Sequence, residues 1–181
     1  MLTEKLKTDE KNFKESVKRA AELLKRGGIV AIPTETVYGL AASALDGNAV
    51  KKVFAAKGRP QDNPLIVHIA DISGLYEIAA EIPEAALECA RRFWPGPFTM
   101  VLKSAGTVAE CVSAGLDTVA VRMPSDETAR AIIRESGLPL AAPSANTSGR
   151  PSPTSAKYVA EDLDGKIDAI VMAGECGVGV E

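Results

Sequence analysis

Two cations and a histidine stand close together in one short segment of this 181-residue chain. Lys57 and Arg59 flank a glycine at the predicted end of a helix, and His68, the only histidine, lies in the apolar run 65–70 that follows. Arginine offers phosphate a two-pronged fork and lysine offers a point charge, so this pair could clamp a phosphate group. The cations could equally be solvated side chains that complement the helix dipole, and the histidine could be a half-buried structural residue.

Two further polar features interrupt apolar segments. Thr34-Glu35-Thr36 follows a predicted strand, and its hydroxyls and carboxylate could hold a polar ligand or could cap the next helix. Arg122 lies inside the apolar run 118–123. A charge in such a strand is costly unless it is paired or ligand-bound, so Arg122 is a candidate binding residue.

The segment 143–152 is rich in hydrogen-bond donors and precedes a predicted helix. Such a loop can wrap a triphosphate or a ribose, although its composition also fits an ordinary turn. The chain has neither GxxxxGK[ST] nor GxGxxG, and no Ser/His/Asp or Cys/His nucleophile set stands out. Cations, hydroxyls and amides, with Glu35 as the main carboxylate, suit the positioning of several anions. Nucleotidyl transfer is a reaction of this kind, because charge stabilisation supplies most of its catalysis.

The composition predicts one domain over residues 1–181, located in the cytoplasm. Hydrophobic residues make up 46% and aromatic residues 4% of the chain, so the core is expected to be aliphatic. The net charge of −3 argues against a bulk electrostatic grip on nucleic acid. The three cysteines are far apart, which fits reduced thiols and predicts no protein-built metal site. No apolar run approaches the roughly 20 residues of a membrane span, and none resembles a signal peptide.

Hydrophobic periodicity predicts alternating helices and strands. Helices are expected over 13–24, 49–56, 71–79, 83–93, 125–136 and 155–163, and strands over 29–32, 65–70, 98–102, 118–123, 138–142 and 167–172. Ser125 is the expected cap of the fifth helix, and Trp94-Pro95-Gly96-Pro97 is expected to form a rigid turn. Strands that are apolar on both faces predict an α/β domain with a covered, mixed sheet. The polar segments fall at strand ends, where such folds bind ligands.

Taken in order, these segments resemble the YrdC-like family of L-threonylcarbamoyladenylate synthases. The resemblance runs from Gly28 to about Glu181, which is nearly the whole chain. Its motifs are Pro33-Thr34-Glu35-Thr36-Val37-Tyr38-Gly39-Leu40, Lys57-Gly58-Arg59-Pro60, Asn63-Pro64-Leu65, Trp94-Pro95-Gly96-Pro97, Val121-Arg122 and Ser144-Ala145-Asn146. Each motif is weak alone, but the ordered set is highly specific.

The resemblance implies a fold and an activity. The fold is an α/β twisted open mixed sheet with flanking helices and a concave basic cavity. The activity is that of a nucleotidyltransferase, which makes threonylcarbamoyl-AMP and pyrophosphate from L-threonine, bicarbonate and ATP. Partner transferase proteins then move the threonylcarbamoyl group to tRNA position 37. Magnesium is expected on ATP, held mainly through phosphate oxygens and water, and contact with RNA is expected to be weak.

The resemblance also assigns residues by motif. ATP would be bound by Lys57, Arg59, Asn63, Thr118, Ser144, Asn146 and Ser152, of which Lys57 and Arg59 would be the catalytic pair. Threonine would be bound by Thr36, His68, Arg122 and the backbone around Ala142. Arg122 suits the threonine carboxylate. The carboxylated threonine nitrogen would attack the α-phosphorus without a covalent enzyme intermediate.

The chain departs from the family pattern at its end. It stops at Glu181, where family members continue with a Ser-Thr-containing strand that helps close the threonine site. We therefore expect a C-terminally truncated single domain without the second domain of the long family members. Two alternatives stay open from the sequence. One is an RNA-binding module of the same fold, and the other is a carbamoyl-transfer domain of the hydrogenase-maturation type.

Overall fold

The computed structural model describes residues 2–180, which form one mixed sheet flanked by helices. The strands are β1 (Glu4–Lys7), β2 (Val30–Ile32), β3 (Gly39–Ser43), β4 (Ile66–His68), β5 (Ala79–Glu81), β6 (Thr99–Ser104), β7 (Thr118–Arg122), β8 (Leu140–Ala141) and β9 (Ala169–Met172). The helices are α1 (Phe13–Lys25), α2 (Gly47–Lys57), α3 (Ser73–Ile78), α4 (Glu84–Phe93), α5 (Glu110–Ser113), α6 (Glu127–Ser136) and α7 (Ala156–Leu163).

The strand order is β1-β9-β2-β3-β8-β4-β7-β6-β5. β4 runs parallel to β7, whereas β8 and β6, on their outer sides, are antiparallel to them. The predicted α/β class and the mixed, twisted open sheet with flanking helices are therefore confirmed. Because β4 and β7 are parallel, their carboxyl ends meet at one edge, where loops can converge on a ligand.

Helices cover the two faces of the sheet unequally. One core cluster joins the sheet to α2, α3, α4, α5 and α7, and a second joins it to α1 and α6. The sheet residues of the second cluster come from β2, β3, β8 and β9. On this face the neighbouring strands β4, β7 and β6 lie beyond that cluster, and Val101 of β6 is 67% exposed. An uncovered stretch of sheet is thus available beside the carboxyl ends of β4 and β7.

Several predicted boundaries are wrong. The apolar run 65–70 forms a strand only at Ile66–His68. The alternative of a helix cap at Thr34-Glu35-Thr36 is also wrong, because the chain continues from there into β3. α6 is capped by Asp126 and not by Ser125: Asp126 Oδ1 accepts a hydrogen bond from Ala129 N at 2.9 Å. The predictions also omitted β1, β3, β5 and α5.

Candidate active site

Three adjacent strands place polar side chains in one row. His68, the last residue of β4, lies opposite Arg122, the last residue of β7, and Arg122 lies opposite Thr99 of β6. Residues paired across a ladder share a face of the sheet. The row therefore lies at the carboxyl ends of the parallel strands, on the part of the sheet that α1 and α6 do not cover, where loops bury His68 and Arg122.

A cavity of about 640 Å³ opens over this row. That volume is within the usual range for small-molecule sites. Its walls come from the loop after β2, the loop before β4, the turn at residue 97, the loop after β8 and the C-terminal segment. Its polar lining residues are Thr34, Thr36, Arg59, His68, Thr99, Arg122 and Ser144. Among the described residues that line it there is no carboxylate, so the lining favours an anionic ligand.

Glu35 anchors Arg122 at the edge of this cavity. Arg122 Nη2 donates to Glu35 Oε1 at 2.7 Å and to Thr36 Oγ1 at 3.1 Å. The other carboxylate oxygen of Glu35 accepts from Ser125 N at 3.1 Å. Both side chains of the ion pair are about nine-tenths buried. Nη2 of the guanidinium is thereby fixed to the protein, whereas its Nε is buried without a hydrogen-bond partner in a residue that lines the cavity.

His68 is neutral at physiological pH. Its side chain is buried, and burial lowers the pKa of the imidazole to about 4, with the positive charge of Arg122 acting in the same direction. Desolvation penalises the imidazolium because a charge loses more hydration than a neutral ring. A neutral imidazole carries one donor nitrogen and one acceptor nitrogen, so His68 can bind a polar group without adding charge.

Three nitrogen atoms in the cavity walls have no hydrogen-bond partner within the protein. They are Arg59 Nε, His68 Nδ1 and Arg122 Nε, all buried, and all belong to residues that line the cavity. Within residues 2–180 the fourth buried, unpartnered side-chain nitrogen is Arg130 Nε, which lies outside the lining. Buried polar groups are nearly always satisfied in folded proteins. Their concentration here indicates that a polar ligand completes the site.

Lys57 and Arg59 have different surroundings although two residues separate them. Arg59 lines the cavity, whereas Lys57 is 1% exposed and lies outside the lining. Gly58, between them, ends α2 in the left-handed conformation, with φ of 61°. This residue turns the chain sharply after the last helical turn. Of the two cations in the predicted phosphate clamp, only Arg59 therefore lines the cavity, and the clamp itself stays a prediction.

The structure brings together six of the predicted site residues. The cavity is lined by Thr36, Arg59, His68, Arg122, Ala142 and Ser144. Outside that lining lie Lys57, Asn63, Thr118, Asn146 and Ser152. Asn63 is exposed next to the lining residue Pro64, and Thr118 begins β7, the strand that ends at Arg122. The individual ligand roles of all these residues stay predictions.

The sequence analysis missed part of the cavity wall. Thr99 lines the cavity because its place in β6 sets it opposite Arg122, a pairing that the sequence alone does not show. Val178 and Val180 also line it. The backbone N–H of Val178 donates to the Glu35 carbonyl at 2.8 Å. This hydrogen bond holds the C-terminal segment against the loop after β2. A Gly-Val repeat gives no sequence signal for that contact.

Two further features bear on the ligand. Across the described range, no group of three or more His, Cys, Asp or Glu side chains is arranged to hold a metal ion. No helix within the same residues has the length and apolar character needed to cross a membrane.

The fold and the site together define an α/β domain with a cavity suited to an anionic ligand at the ends of two parallel strands. Within that class, the chain belongs to the Sua5, YciO and YrdC family. The family model described as "Telomere recombination" matches residues 22–181.

Relatives with assigned names agree with this membership. The threonylcarbamoyl-AMP synthase of Pyrococcus abyssi is 58% identical over 91% of this chain, and that of Bacillus subtilis is 57% identical over 91%. The crystal structure of P. abyssi Sua5 complexed with L-threonine superposes with a TM-score of 0.94 at 53% identity, covering all of this chain and 53% of that one. The chain spans about half the length of these relatives, 48% in both sequence matches.

Proposed function

We propose that this chain carries the site of an L-threonylcarbamoyladenylate synthase. In that role it binds L-threonine, bicarbonate and ATP, and produces threonylcarbamoyl-AMP and pyrophosphate. One observation carries the proposal: the buried, unpartnered nitrogens of Arg59, His68 and Arg122 all belong to the walls of one cavity. Support also comes from the relatives named threonylcarbamoyl-AMP synthase and from the P. abyssi structure complexed with L-threonine.

The geometry suggests how the substrates divide the cavity. The free Nε of Arg122 offers a hydrogen-bond donor for the threonine carboxylate, next to the hydroxyl of Thr36 and the neutral ring of His68. Arg59 and Ser144 lie in the wall formed by the loops before β4 and after β8, where they are suited to phosphate oxygens. The α-phosphorus and the threonine nitrogen would meet between these two groups.

The proposed reaction needs positioning more than acid–base chemistry. The threonine amine reacts with carbon dioxide, releasing a proton, or with bicarbonate, releasing water, to form a carbamate. A carbamate oxygen then attacks the α-phosphorus. The bond between the α- and β-phosphates breaks, and pyrophosphate leaves with the electron pair. The AMP group is thereby transferred to the carbamate, which makes the enzyme a nucleotidyltransferase. Arg59 would stabilise charge on the phosphates as it develops.

Magnesium and partners belong to the same proposal. Mg²⁺ would be held by the ATP phosphates and water, as hard oxygen ligands suit it, and would neutralise phosphate charge. The product would pass to tRNA-modifying transferase proteins that act on tRNA position 37, with only weak RNA contact by this chain. We propose a cytoplasmic location on the same grounds, since ATP and tRNA are available there.

Pyrophosphate release tests the proposed reaction. The purified chain is incubated with Mg²⁺, ATP, threonine and bicarbonate, and threonine and bicarbonate are then omitted in turn. We expect release to require both substrates. The assignment would be overturned if pyrophosphate release continued without threonine or without bicarbonate. It would also be overturned if serine supported pyrophosphate release as well as threonine does.

Two additional arms separate the alternatives that the sequence left open. ATP cleavage that depends on carbamoyl phosphate would indicate a carbamoyl-transfer domain. Salt-dependent binding of tRNA that is tighter than binding of ATP would indicate an RNA-binding module. We expect neither, because the unpartnered nitrogens are buried in residues that line one cavity and are not displayed on an open surface.

A further inference from the structure

We propose that Lys57 is a positioning residue that holds the loop after β8 from inside the protein, and that it does not itself bind phosphate. This inference rests on the proposed function, since it concerns how the nucleotide side of that site is built. It assigns Lys57 a different role from the phosphate contact that the sequence predicts.

The side chain of Lys57 is surrounded by oxygens of the loop. Its Nζ donates to the carbonyl of Ser144, to the carbonyl of Asn146 at 2.7 Å and to Asn146 Oδ1 at 3.3 Å. An ammonium group has three N–H donors, and three loop oxygens lie within hydrogen-bond distance of them. A phosphate oxygen could approach Nζ only if one of these oxygens moved away.

The main chain of Lys57 binds the same loop. Its carbonyl accepts a hydrogen bond from Ser148 N at 2.8 Å. Lys57 thus hydrogen-bonds to the segment 144–148 through both its side chain and its main chain. As the last residue of α2, it also places the ammonium where the helix dipole favours a positive charge. These contacts give the buried charge a favourable environment without a ligand.

Asn146 extends this inner network along the loop. Its side-chain amide donates to the carbonyls of Thr147 at 3.0 Å and Arg150 at 2.7 Å, and Asn146 is 5% exposed. Thr147 N in turn donates to Asp162 Oδ2 at 2.9 Å. The loop is therefore fixed by groups that lie outside the cavity lining, whereas Ser144 of the same loop is part of the cavity wall.

Removal of Lys57 from this arrangement would be costly for the loop. The carbonyls of Ser144 and Asn146 would lose their partner, and Asn146 would stay buried. An unsatisfied buried acceptor costs more than a typical hydrogen bond gains. The loop would then relax, and every nucleotide contact that depends on its shape would weaken together. Arg59, on the other side of Gly58, is the cation that lines the cavity.

The two roles differ in how nucleotide affinity depends on phosphate number. We compare wild type, Lys57→Met and Arg59→Met for binding of AMP, ADP and ATP by isothermal titration calorimetry. Lys57→Met should weaken all three nucleotides by a similar factor, about tenfold or more. Arg59→Met should weaken ATP much more than AMP. If the loss in Lys57→Met grows from AMP to ATP as it does in Arg59→Met, Lys57 binds phosphate and the proposal is wrong.

Hydrogen exchange shows whether the effect is local. Without nucleotide, amide exchange in Lys57→Met should rise over residues 144–150 and stay at wild-type rates in α1. Unchanged exchange over 144–150 would overturn the positioning role. Wild type that binds none of the nucleotides would instead reject the proposed function, so the two failures are distinguishable.

A measurement on wild type covers the case in which Lys57→Met does not fold. In protein labelled with ¹⁵N-lysine, the buried Lys57 ammonium should give a slowly exchanging signal that keeps its position when ATP is added. A large shift, or a coupling between its ¹⁵N and an ATP ³¹P nucleus, would show direct phosphate binding and would refute the proposal.

Discussion

Arg122 and Glu35 form a buried ion pair at the edge of the cavity, with Arg122 Nη2 2.7 Å from Glu35 Oε1. The two residues are 87 positions apart and come from the end of β7 and the loop after β2. Because Glu35 also accepts from Ser125 N, one carboxylate joins the loop after β2 to the chain that leads into α6. The pair therefore fixes the orientation in which Arg122 meets the cavity.

Loss of the Glu35 carboxylate should destabilise the protein. In Glu35→Ala the guanidinium of Arg122 stays buried without its counter-charge, and breaking such a pair from one side costs about 3 kcal/mol. The free energy of unfolding in urea, extrapolated to water, measures the loss. We also expect weaker threonine binding, because Arg122 is no longer held in place.

Glu81→Ala is the matched control for this prediction. Glu81 pairs with Lys103 at 2.9 Å, but both side chains are more than half exposed. Solvent screens such pairs, so the unfolding free energy should stay at the wild-type value within error. If Glu35→Ala and Glu81→Ala lowered the unfolding free energy equally, burial would not explain the contribution of the Glu35–Arg122 pair to stability.

Arg122→Lys should raise the threonine requirement. Lysine retains the charge but lacks the fork that can bind Glu35 on one edge and a carboxylate on the other. The threonine concentration for half-maximal pyrophosphate release should rise by about 10- to 100-fold, with little change in the ATP concentration required. Arg130→Lys is the control, since Arg130 also carries a buried, unpartnered Nε but lies outside the cavity lining. A wild-type threonine requirement in Arg122→Lys would remove this residue from the threonine site.

Much of the fold was readable from local pattern. The amphipathic spacing of Phe13, Val17, Ala20 and Leu24 correctly predicts α1, and the run 118–123 correctly predicts β7. The prediction failed where tertiary context decides the outcome. β1 has the charged sequence Glu4-Lys5-Leu6-Lys7 and becomes a strand only because its backbone pairs with β9. A sequence with so little apolar alternation gives no local sign of that pairing.

The candidate site was predictable only in part, because local sequence pattern marks some of its residues and tertiary packing decides the surroundings of the others. A charge inside an apolar strand marked Arg122, and its costly burial is indeed compensated by Glu35. The different environments of Lys57 and Arg59 could not be predicted from their spacing. They depend on the direction of the chain after Gly58 and on the position of the loop 144–148, nearly 90 residues later. Contacts at such separation are set by packing and leave no local trace.

Gly58→Ala should destabilise the protein by about 1 kcal/mol. The backbone of Gly58 has φ of 61°, a region that costs residues with a Cβ atom about this much. The position is open, with no atom within 4 Å of an added Cβ, so strain and not a clash would cause the loss. Gly174→Ala tests this reasoning, since Gly174 is equally open but lies outside the left-handed region. Thermal unfolding should give a lower Tm for Gly58→Ala than for Gly174→Ala, and the reverse order would contradict the argument.

Stability should fall as the pH drops from 6.5 towards 4, in part because of His68. Burial, aided by the charge of Arg122, lowers the pKa of His68 to about 4, against about 6.5 in the unfolded chain. At pH values between these two pKa values, His68 is protonated in the unfolded state but not in the folded state. The unfolding free energy therefore decreases as the pH is lowered. The full effect is about 3 kcal/mol, of which about 1 kcal/mol should be lost by pH 5.5.

The single imidazole makes this pH effect directly measurable. His68 is the only histidine of the sequence, so its ring Cε1–H gives the one histidine signal in the NMR spectrum. In the folded protein that signal should keep its neutral-form position from pH 8 to pH 5.5. In parallel, the difference in unfolding free energy between wild type and His68→Gln should become smaller, or reverse, between pH 7.5 and pH 5.5, because glutamine does not titrate. A ring that titrates near pH 6.5 in the folded state would show that His68 is solvated, and would remove the neutral imidazole from the proposed threonine site.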